Sequence, residues 1–171
     1  MNSADVLVDA FGRVQDAVHG AVEGLSPEQL AFRVDPQANS VAWLIWHLTR
    51  VQDDHVADVA GIPQVWTTKG WMERFGLPFT ARTIGYGHTS DEVAKVRVES
   101  GDLLTGYYDD VHAQTIEYVG GLKADHLRRI VDERWDPPVS LRVRLVSVIE
   151  DDLQHVGQAA FVRGIVKRQE R

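Results

Sequence analysis

Apolar side chains recur with the period of an α-helix in four long segments of the chain. In the first segment they are spaced by three and four residues from Leu7 to Leu25, which predicts an amphipathic helix over residues 3–22. In the second, residues 41–48 are all apolar except His47, so a helix there would be buried on every side. Ser40 is suited to cap this second helix, and Gly61 is suited to end it after Ala60.

Two further helices are predicted in the second half of the chain. One begins at Ser100 or Gly101 and ends at the glycine pair 120–121. The other follows a capping Ser140, and its inward face is predicted to carry Leu141, Val148, Asp151, His155, Ala159, Val162 and Val166. We find no internal repeat and no alternating run long enough for a sheet. The pattern therefore predicts an all-α fold, a four-helix bundle with long crossover connections, as a single domain over residues 1–171.

The connection over residues 62–88 fits no single long element. It carries aromatic residues among glycines, namely Trp66, Trp71, Phe75, Phe79 and Tyr86. We interpret it as a crossover between distant helices, with a lid as the alternative, and the two are compatible. Shorter helices or turns are expected at residues 26–29, 69–75, 89–98 and 123–127.

Composition narrows the class of protein. With 171 residues and a net charge of −7, the chain is expected to be globular and a poor binder of nucleic acid. No apolar run reaches the length of a membrane span and no signal peptide is evident, which favours a cytoplasmic protein without a membrane partner. The sequence contains no cysteine, so disulfides, thiolate metal ligands and a cysteine nucleophile are excluded.

His47 and two later residues form a candidate metal site. A buried imidazole needs a hydrogen-bond partner or a metal, and Asp151 and His155 are spaced i, i+4, so they project from one helical face. Two imidazoles and a carboxylate suit Zn²⁺ with an open position, and also Fe²⁺ or Ni²⁺. The alternative makes Asp151 and His155 a surface ion pair and His47 a satisfied core residue. His55 or Asp54 could also replace one ligand.

The apolar run that ends at His47, and the later Asp151-Asp-Leu-Gln-His155-Val-Gly-Gln158 with Arg163, resemble the DinB-like (YfiT-like) family of four-helix metal proteins. The chain is similar above all to the branch that contains mycothiol-dependent maleylpyruvate isomerase. The resemblance implies metal ligands at His47, Asp151 and His155. Most of the family has histidine where this chain has Asp151, whereas the isomerase branch has glutamate. Gln158 and Arg163 become candidate contacts for substrate or cofactor.

The resemblance also implies a chemistry, since family members of assigned activity transfer or isomerise groups with a small thiol such as mycothiol. A divalent metal, Zn²⁺ first and Ni²⁺ or Fe²⁺ next, would activate the thiol for an electrophilic partner. One alternative is a non-haem Fe²⁺ oxygenase that uses the same three ligands. Another is a stress-linked binding or dimerisation module with a structural or vestigial metal site. A homodimer that buries part of residues 66–86 is expected.

Overall fold

The computed structural model describes residues 2–169. Four long helices form its frame: α1 (Ser3–Val22), α3 (Val41–Ala60), α7 (Gly101–Gly120) and α8 (Leu141–Gln169). Short helices lie in the connections: α2 (Pro27–Leu30), α4 (Val65–Thr68), α5 (Trp71–Phe75), α6 (Ser90–Lys95) and a 3-10 turn (His126–Arg128). Two short strands, β1 (Ile130–Asp132) and β2 (Val139–Ser140), precede α8.

Helix ends follow the capping residues in the sequence. The Ser40 hydroxyl accepts a hydrogen bond from the Trp43 backbone N–H at 3.1 Å, which satisfies one of the free donors at the start of α3. Gly61 ends this helix in the left-handed conformation, with φ of 68°. The predicted bounds of α1, α3 and α7 are confirmed, and so is the predicted start of α8 after Ser140.

The long helices pack as a ring in which α1 and α3 lie across from each other and both contact α7 and α8. The core fills the centre of this ring, and helix α3 contributes nearly its whole length to it because its apolar residues face all sides. The predicted all-α, four-helix-bundle fold is confirmed. The single domain over residues 1–171 stays a prediction. No helix of residues 2–169 is both long enough and apolar enough to cross a membrane.

A buried arginine on α3 holds the crossover over residues 62–88 in place. The Arg50 guanidinium is fully buried and donates to the backbone carbonyls of Ala81 at 3.0 Å and Thr83 at 3.2 Å. It also donates to the Gln64 side chain at 2.9 Å and the Tyr107 hydroxyl at 3.1 Å. These bonds satisfy the buried charge and tie both ends of the crossover to one helix.

A buried carboxylate, one turn along α3, completes this anchor. Asp53 lies 3.5 Å from Arg50 and accepts hydrogen bonds from the backbone N–H groups of Val65 and Trp66 at 2.9 and 2.8 Å. The Tyr107 hydroxyl donates to the same carboxylate at 2.8 Å. The crossover therefore closes the core, as the sequence predicts.

The crossover leaves little aromatic surface for a second copy of the chain. Trp66, Trp71 and Phe75 are buried within the protein, whereas Tyr86 is 91% exposed. The predicted homodimer stays a prediction, and of these four residues only Tyr86 offers it a wholly exposed aromatic ring.

A small hairpin departs from the expectation of no sheet. Strands β1 and β2 pair antiparallel, with Ile130 opposite Ser140 and Asp132 opposite Val139, and an irregularity lies between the two pairs. Strands of three and two residues are too short for an alternating pattern to show, so the sequence gives no sign of them. The hairpin places Asp132 and Arg134 beside the first turns of α8.

Candidate metal centre

His47 projects from the buried face of α3 with one ring nitrogen already satisfied. Its Nδ1–H donates to the Ile84 carbonyl oxygen at 2.5 Å, and the ring stacks on Trp43 at a centroid distance of 4.5 Å. Gly85 allows this close approach: a Cβ there would lie 2.6 Å from Nδ1 of His47 and 3.1 Å from the Trp46 ring. Nε2 is therefore the nitrogen that remains free for a metal.

Asp151 and His155 lie on one face of α8, as their i, i+4 spacing predicts. Nδ1–H of His155 donates to the backbone carbonyl of Asp151 at 2.8 Å, which again leaves Nε2 free. Oδ2 of Asp151 lies 3.3 Å from the same nitrogen, but it is buried and has no hydrogen-bond partner in the described structure. An orphaned carboxylate oxygen beside two imidazoles is a position that a cation would satisfy.

The structure brings the three side chains together. His47, Asp151 and His155 each offer a ligand atom within 4.8 Å of the other two, and the rings of the two histidines lie edge to face at 4.7 Å. Donors bonded at about 2.1 Å to a tetrahedral ion lie about 3.4 Å apart, so small side-chain rotations would close the site. Within residues 2–169, no other group of three or more such residues meets this distance.

The charge states of these groups suit a divalent cation. Burial lowers the pKa of His47, which favours the neutral imidazole that a metal needs. Burial acts to raise the pKa of Asp151, but its interaction with His155 and the charges of the histidines outweigh this and lower it. For His155, burial acts to lower the pKa, whereas the interactions with Asp151 raise it, so a proton competes with the metal there.

The alternative ligands are used elsewhere. Nδ1 of His55 accepts a hydrogen bond from Nη1 of Arg144 at 2.8 Å, and Asp54 accepts one from the Gln64 side chain at 2.7 Å. Neither residue belongs to the three-residue cluster. The geometry thus favours Asp151 over Asp54 or His55 as the third ligand.

Comparison with known proteins assigns the chain to a family. A family model described as mycothiol-S-transferase matches residues 6–167. The chain belongs to the mycothiol-S-transferase family. A crystal structure of a conserved protein from Enterococcus faecalis is 30% identical, with a TM-score of 0.90, and the match covers 97% of this chain and 98% of that one. A search of curated proteins found no significant match.

Membership in the mycothiol-S-transferase family, which is DinB-like, confirms the resemblance inferred from the sequence. It supports the coarse prediction of a thiol-dependent transferase family.

Two predicted contact residues lie apart from the three candidate ligands. Gln158 is exposed on α8, one turn beyond His155. Arg163 donates to the backbone carbonyl of Glu23 at 2.7 Å and so joins α8 to the end of α1. Neither forms a hydrogen bond or ion pair with the ligand cluster among the described residues, and their roles in binding substrate stay predictions.

Sequence reasoning missed His88, which the crossover brings against the site. The Trp43 indole N–H donates to Nδ1 of His88 at 3.1 Å, and the His88 ring packs against Trp46 and Phe79. Burial lowers the pKa of His88, and its Nε2 has no partner. The contact joins residues 45 positions apart, and no local pattern signals it.

Asp152 is a second missed residue, next to the candidate ligand Asp151. It faces the bundle interior, is fully buried, and neither of its carboxylate oxygens has a hydrogen-bond partner among the described residues. Burial raises the pKa of Asp152 well above its ordinary value, and the charge of Asp151 adds to the effect. The i, i+4 spacing with His155 pointed to Asp151 alone, so the burial of Asp152 was not predicted.

A cavity of about 560 Å³ opens beside Asp151, between α3, the hairpin and α8. Its walls combine apolar side chains with the two arginines Arg134 and Arg144. In this member of the mycothiol-S-transferase family, one of the three candidate ligands, Asp151, therefore borders a space that a small molecule could enter.

Proposed function

We propose that this protein is a metal-dependent S-transferase that joins a low-molecular-weight thiol such as mycothiol to an electrophilic small molecule. The observation that carries the proposal is the cluster of His47, Asp151 and His155, of which Asp151 lines an open cavity. Membership in the mycothiol-S-transferase family supports the thiol part of the proposal.

The three side chains fit a divalent ion, Zn²⁺ first and Ni²⁺ or Fe²⁺ next. Two neutral imidazoles and one carboxylate would hold it and leave at least one position open. A divalent ion in such a site lowers the pKa of a bound thiol and so supplies a thiolate at neutral pH. Because the chain has no cysteine, the thiol must come from a small molecule.

This chain's residues prepare the site in two ways. The Ile84 carbonyl fixes the ring of His47, and the Asp151 carbonyl fixes the ring of His155, so both Nε2 atoms are directed before an ion arrives. The crossover packs over His47 and keeps water from that side, since His47 itself is buried.

The reaction class is nucleophilic substitution at the electrophile. The thiol proton passes to solvent, the sulfur forms a bond to the electrophilic carbon, and the leaving group departs with the bonding electron pair. Gln158, exposed one turn beyond His155, is the proposed contact for the thiol's polar groups. Arg163 is the more remote candidate, because it already binds the Glu23 carbonyl. We also propose a cytoplasmic protein that acts on small molecules, without nucleic acid or membrane as partner.

The test combines metal analysis with turnover. Purified protein should hold about one divalent ion per chain and form a fluorescent conjugate from mycothiol and monochlorobimane; His47→Ala and His155→Ala should lose both properties. His126→Ala is the matched control, because His126 lies in the 3-10 turn outside the cluster. Metal retained in both ligand variants would contradict the site, and metal binding without conjugation would favour the binding-module alternative.

A further inference from the structure

Helix α8 is apolar on two opposite sides, and only one of them faces the core. Its buried residues point into the bundle. On the opposite side, a second row of mostly apolar residues is spaced by three and four positions, which places its members on one side of the helix. We call this row the outer stripe and define it by Val143, Val146, Glu150, Leu153, Gly157, Ala160, Phe161 and Gly164.

The outer stripe lacks the polarity of an ordinary helix surface. Val146 is 60% exposed and Phe161 is 66% exposed, and Val143 and Leu153 are exposed as well. Glu150 is the only charged member of the stripe, although 25% of the residues in the chain are charged. A helix that is apolar on all sides is normally buried on all sides. A row of exposed apolar side chains about 30 Å long therefore indicates a contact surface.

The order of large and small residues along the stripe indicates which surface would cover it. The first half carries the large aliphatic residues, and the second half carries the small ones, namely Gly157, Ala160 and Gly164. An antiparallel second copy of α8, with a two-fold axis near residue 155, would place Leu153 against Gly157 of the partner subunit. The same register would place Val146 against Gly164 of the partner subunit. Every glycine of the stripe then faces a large side chain, whereas a parallel pairing would place large residues against large ones.

Gly157 suits the close approach of a second helix. Glycine in a helix interior is less stable than alanine, and no atom of the described residues lies within 4 Å of a Cβ added at Gly157. Packing within the chain therefore does not require glycine there, whereas a leucine side chain from another copy would.

Charge does not oppose the antiparallel pairing. In this register Glu150 faces Ala160 of the partner subunit, and the two copies of Glu150 lie about ten residues, or about 15 Å, apart along the helix axes. Salt screens most of the repulsion between exposed charges at that distance. At the flank of the stripe, the uncharged Gln154 lies near its own copy and Ser147 lies near Phe161 of the partner subunit.

We propose that the outer stripes of two copies pair antiparallel about a two-fold axis near residue 155 and form a homodimer. This interface differs from the one predicted within residues 66–86. The overlap of residues 146–164 is about 27 Å long. Such an interface lies at the low end of the size range of specific interfaces, so the dissociation constant is expected in the micromolar range.

The dimer brings a second copy to the rim of the candidate site. Ser147 and Glu150 line the cavity beside Asp151, and the antiparallel register places Phe161 of the partner subunit next to them. Asp151 and His155 lie on a different side of α8 from the outer stripe, so the pairing leaves both candidate ligands uncovered.

Sedimentation velocity over a range of micromolar concentrations tests the pairing. The wild-type protein should pass from monomer to dimer as its concentration rises. Gly157→Leu should weaken the dimer at least about tenfold, because the new side chain fills the space that Leu153 of the partner subunit needs. The double variant Leu153→Ala/Gly157→Leu exchanges the large and small members of that pair and should recover most of the lost affinity. Gly12→Leu is the matched control on α1, where an added Cβ likewise meets nothing within 4 Å, and it should leave the dimer unchanged.

A distance measurement tests the antiparallel orientation. Because the chain has no cysteine, Arg142→Cys provides one attachment point for a spin label, and Arg142 is exposed outside the outer stripe. Residue 142 lies 13 positions from the proposed axis, so the two labels should be about 39 Å apart along the helix axes. Pulsed electron spin resonance on the dimer should find a distance near this value, whereas a parallel pairing would place the labels side by side.

Several outcomes would overturn the proposal. A wild-type protein that stays monomeric at high micromolar concentration would do so, and so would a monomer that binds phosphatidylcholine vesicles through the stripe. A dimer unaffected by Gly157→Leu would place the interface elsewhere, for example at Tyr86. Equal weakening by Gly12→Leu, or two labels side by side, would also contradict the pairing. If Gly157→Leu does not fold, Val146→Glu takes its place and should dissociate the dimer, because Val146 is exposed and its change leaves the core intact. None of these measurements involves metal or thiol, so their result is independent of the proposed S-transfer.

Discussion

Gly85→Ala should disturb metal binding through contact with one imidazole. Gly85 has φ of +96°, a region that side chains other than glycine rarely adopt, and an added Cβ would lie 2.6 Å from Nδ1 of His47. The loop or the ring must therefore move. Either movement breaks the hydrogen bond from His47 to the Ile84 carbonyl, which fixes the ring for coordination.

Two contributions to the effect can be separated. The positive φ alone costs about 1–3 kcal/mol of folding stability for alanine. Loss of the Ile84 hydrogen bond adds about 1 kcal/mol. Disturbing such an outer contact of a ligating histidine typically lowers metal affinity by about 10- to 100-fold.

Gly87→Ala is the matched control, because Gly87 has φ of +73° in the same loop but nothing lies within 4 Å of its added Cβ. Both variants bear the backbone penalty, and only Gly85→Ala bears the contact with His47. Zinc affinity, measured by competition with a chelating dye on protein shown to be folded by circular dichroism, should be about 10- to 100-fold weaker in Gly85→Ala than in Gly87→Ala. Equal affinities would refute the claim that this loop positions His47.

Four further predictions follow from the site and the buried charges. Asp151→His should retain Zn²⁺ or Ni²⁺, Asp151→Ala should loosen it, and Asp151→Asn should fall between; titration calorimetry that finds Asp151→Ala as tight as wild type would place the third ligand elsewhere. Because the pKa of His155 is raised, zinc affinity in the same assay should keep increasing as pH rises past 6.5; a plateau below that pH would contradict the assigned proton competition. Asp53→Ala leaves Arg50 buried without its partner and should cost about 3–5 kcal/mol in urea unfolding, whereas a change below about 1 kcal/mol would mean that the anchor of the crossover lies elsewhere. Because the pKa of Asp152 is raised in the folded protein, its contribution to stability is present below the ordinary pKa of an aspartate and is lost as pH rises toward the folded pKa. The melting temperature of metal-free Asp152→Asn, relative to that of wild type, should therefore increase between pH 5 and pH 8. A constant difference between the two melting temperatures would refute this.

The helices and the pairing of Asp151 with His155 could be predicted because both depend on local sequence. Helical periodicity and capping are properties of neighbouring residues, so the bounds of α3 follow from the apolar run and from Ser40 and Gly61. The same period places residues four apart on one face, which joins Asp151 to His155. That His47 is buried also follows from its sequence neighbours.

The surroundings of His47 were decided by tertiary structure alone. Its contact with the Ile84 carbonyl joins residues 37 positions apart, and the anchoring of that loop by Arg50 involves carbonyls more than 30 positions away. No spacing rule covers such contacts, because a loop's path depends on the packing of the whole bundle. In the sequence, nothing distinguishes Arg50 and Asp53 from ordinary polar positions of a helix.

The cavity beside Asp151 is likewise a product of the fold. Arg134 lies in a hairpin whose strands are too short to be recognised by alternation. Arg144 lies in the first turn of α8, which begins at Leu141, so the start of the helix sets the direction of its side chain. Only the packing of α3 against α8 places His55 beside Arg144 instead of in the metal cluster. The sequence alone determined which chemical groups the protein could use, because residue types and helical faces are local; the tertiary structure decided which of them meet, because their meeting depends on contacts between distant segments.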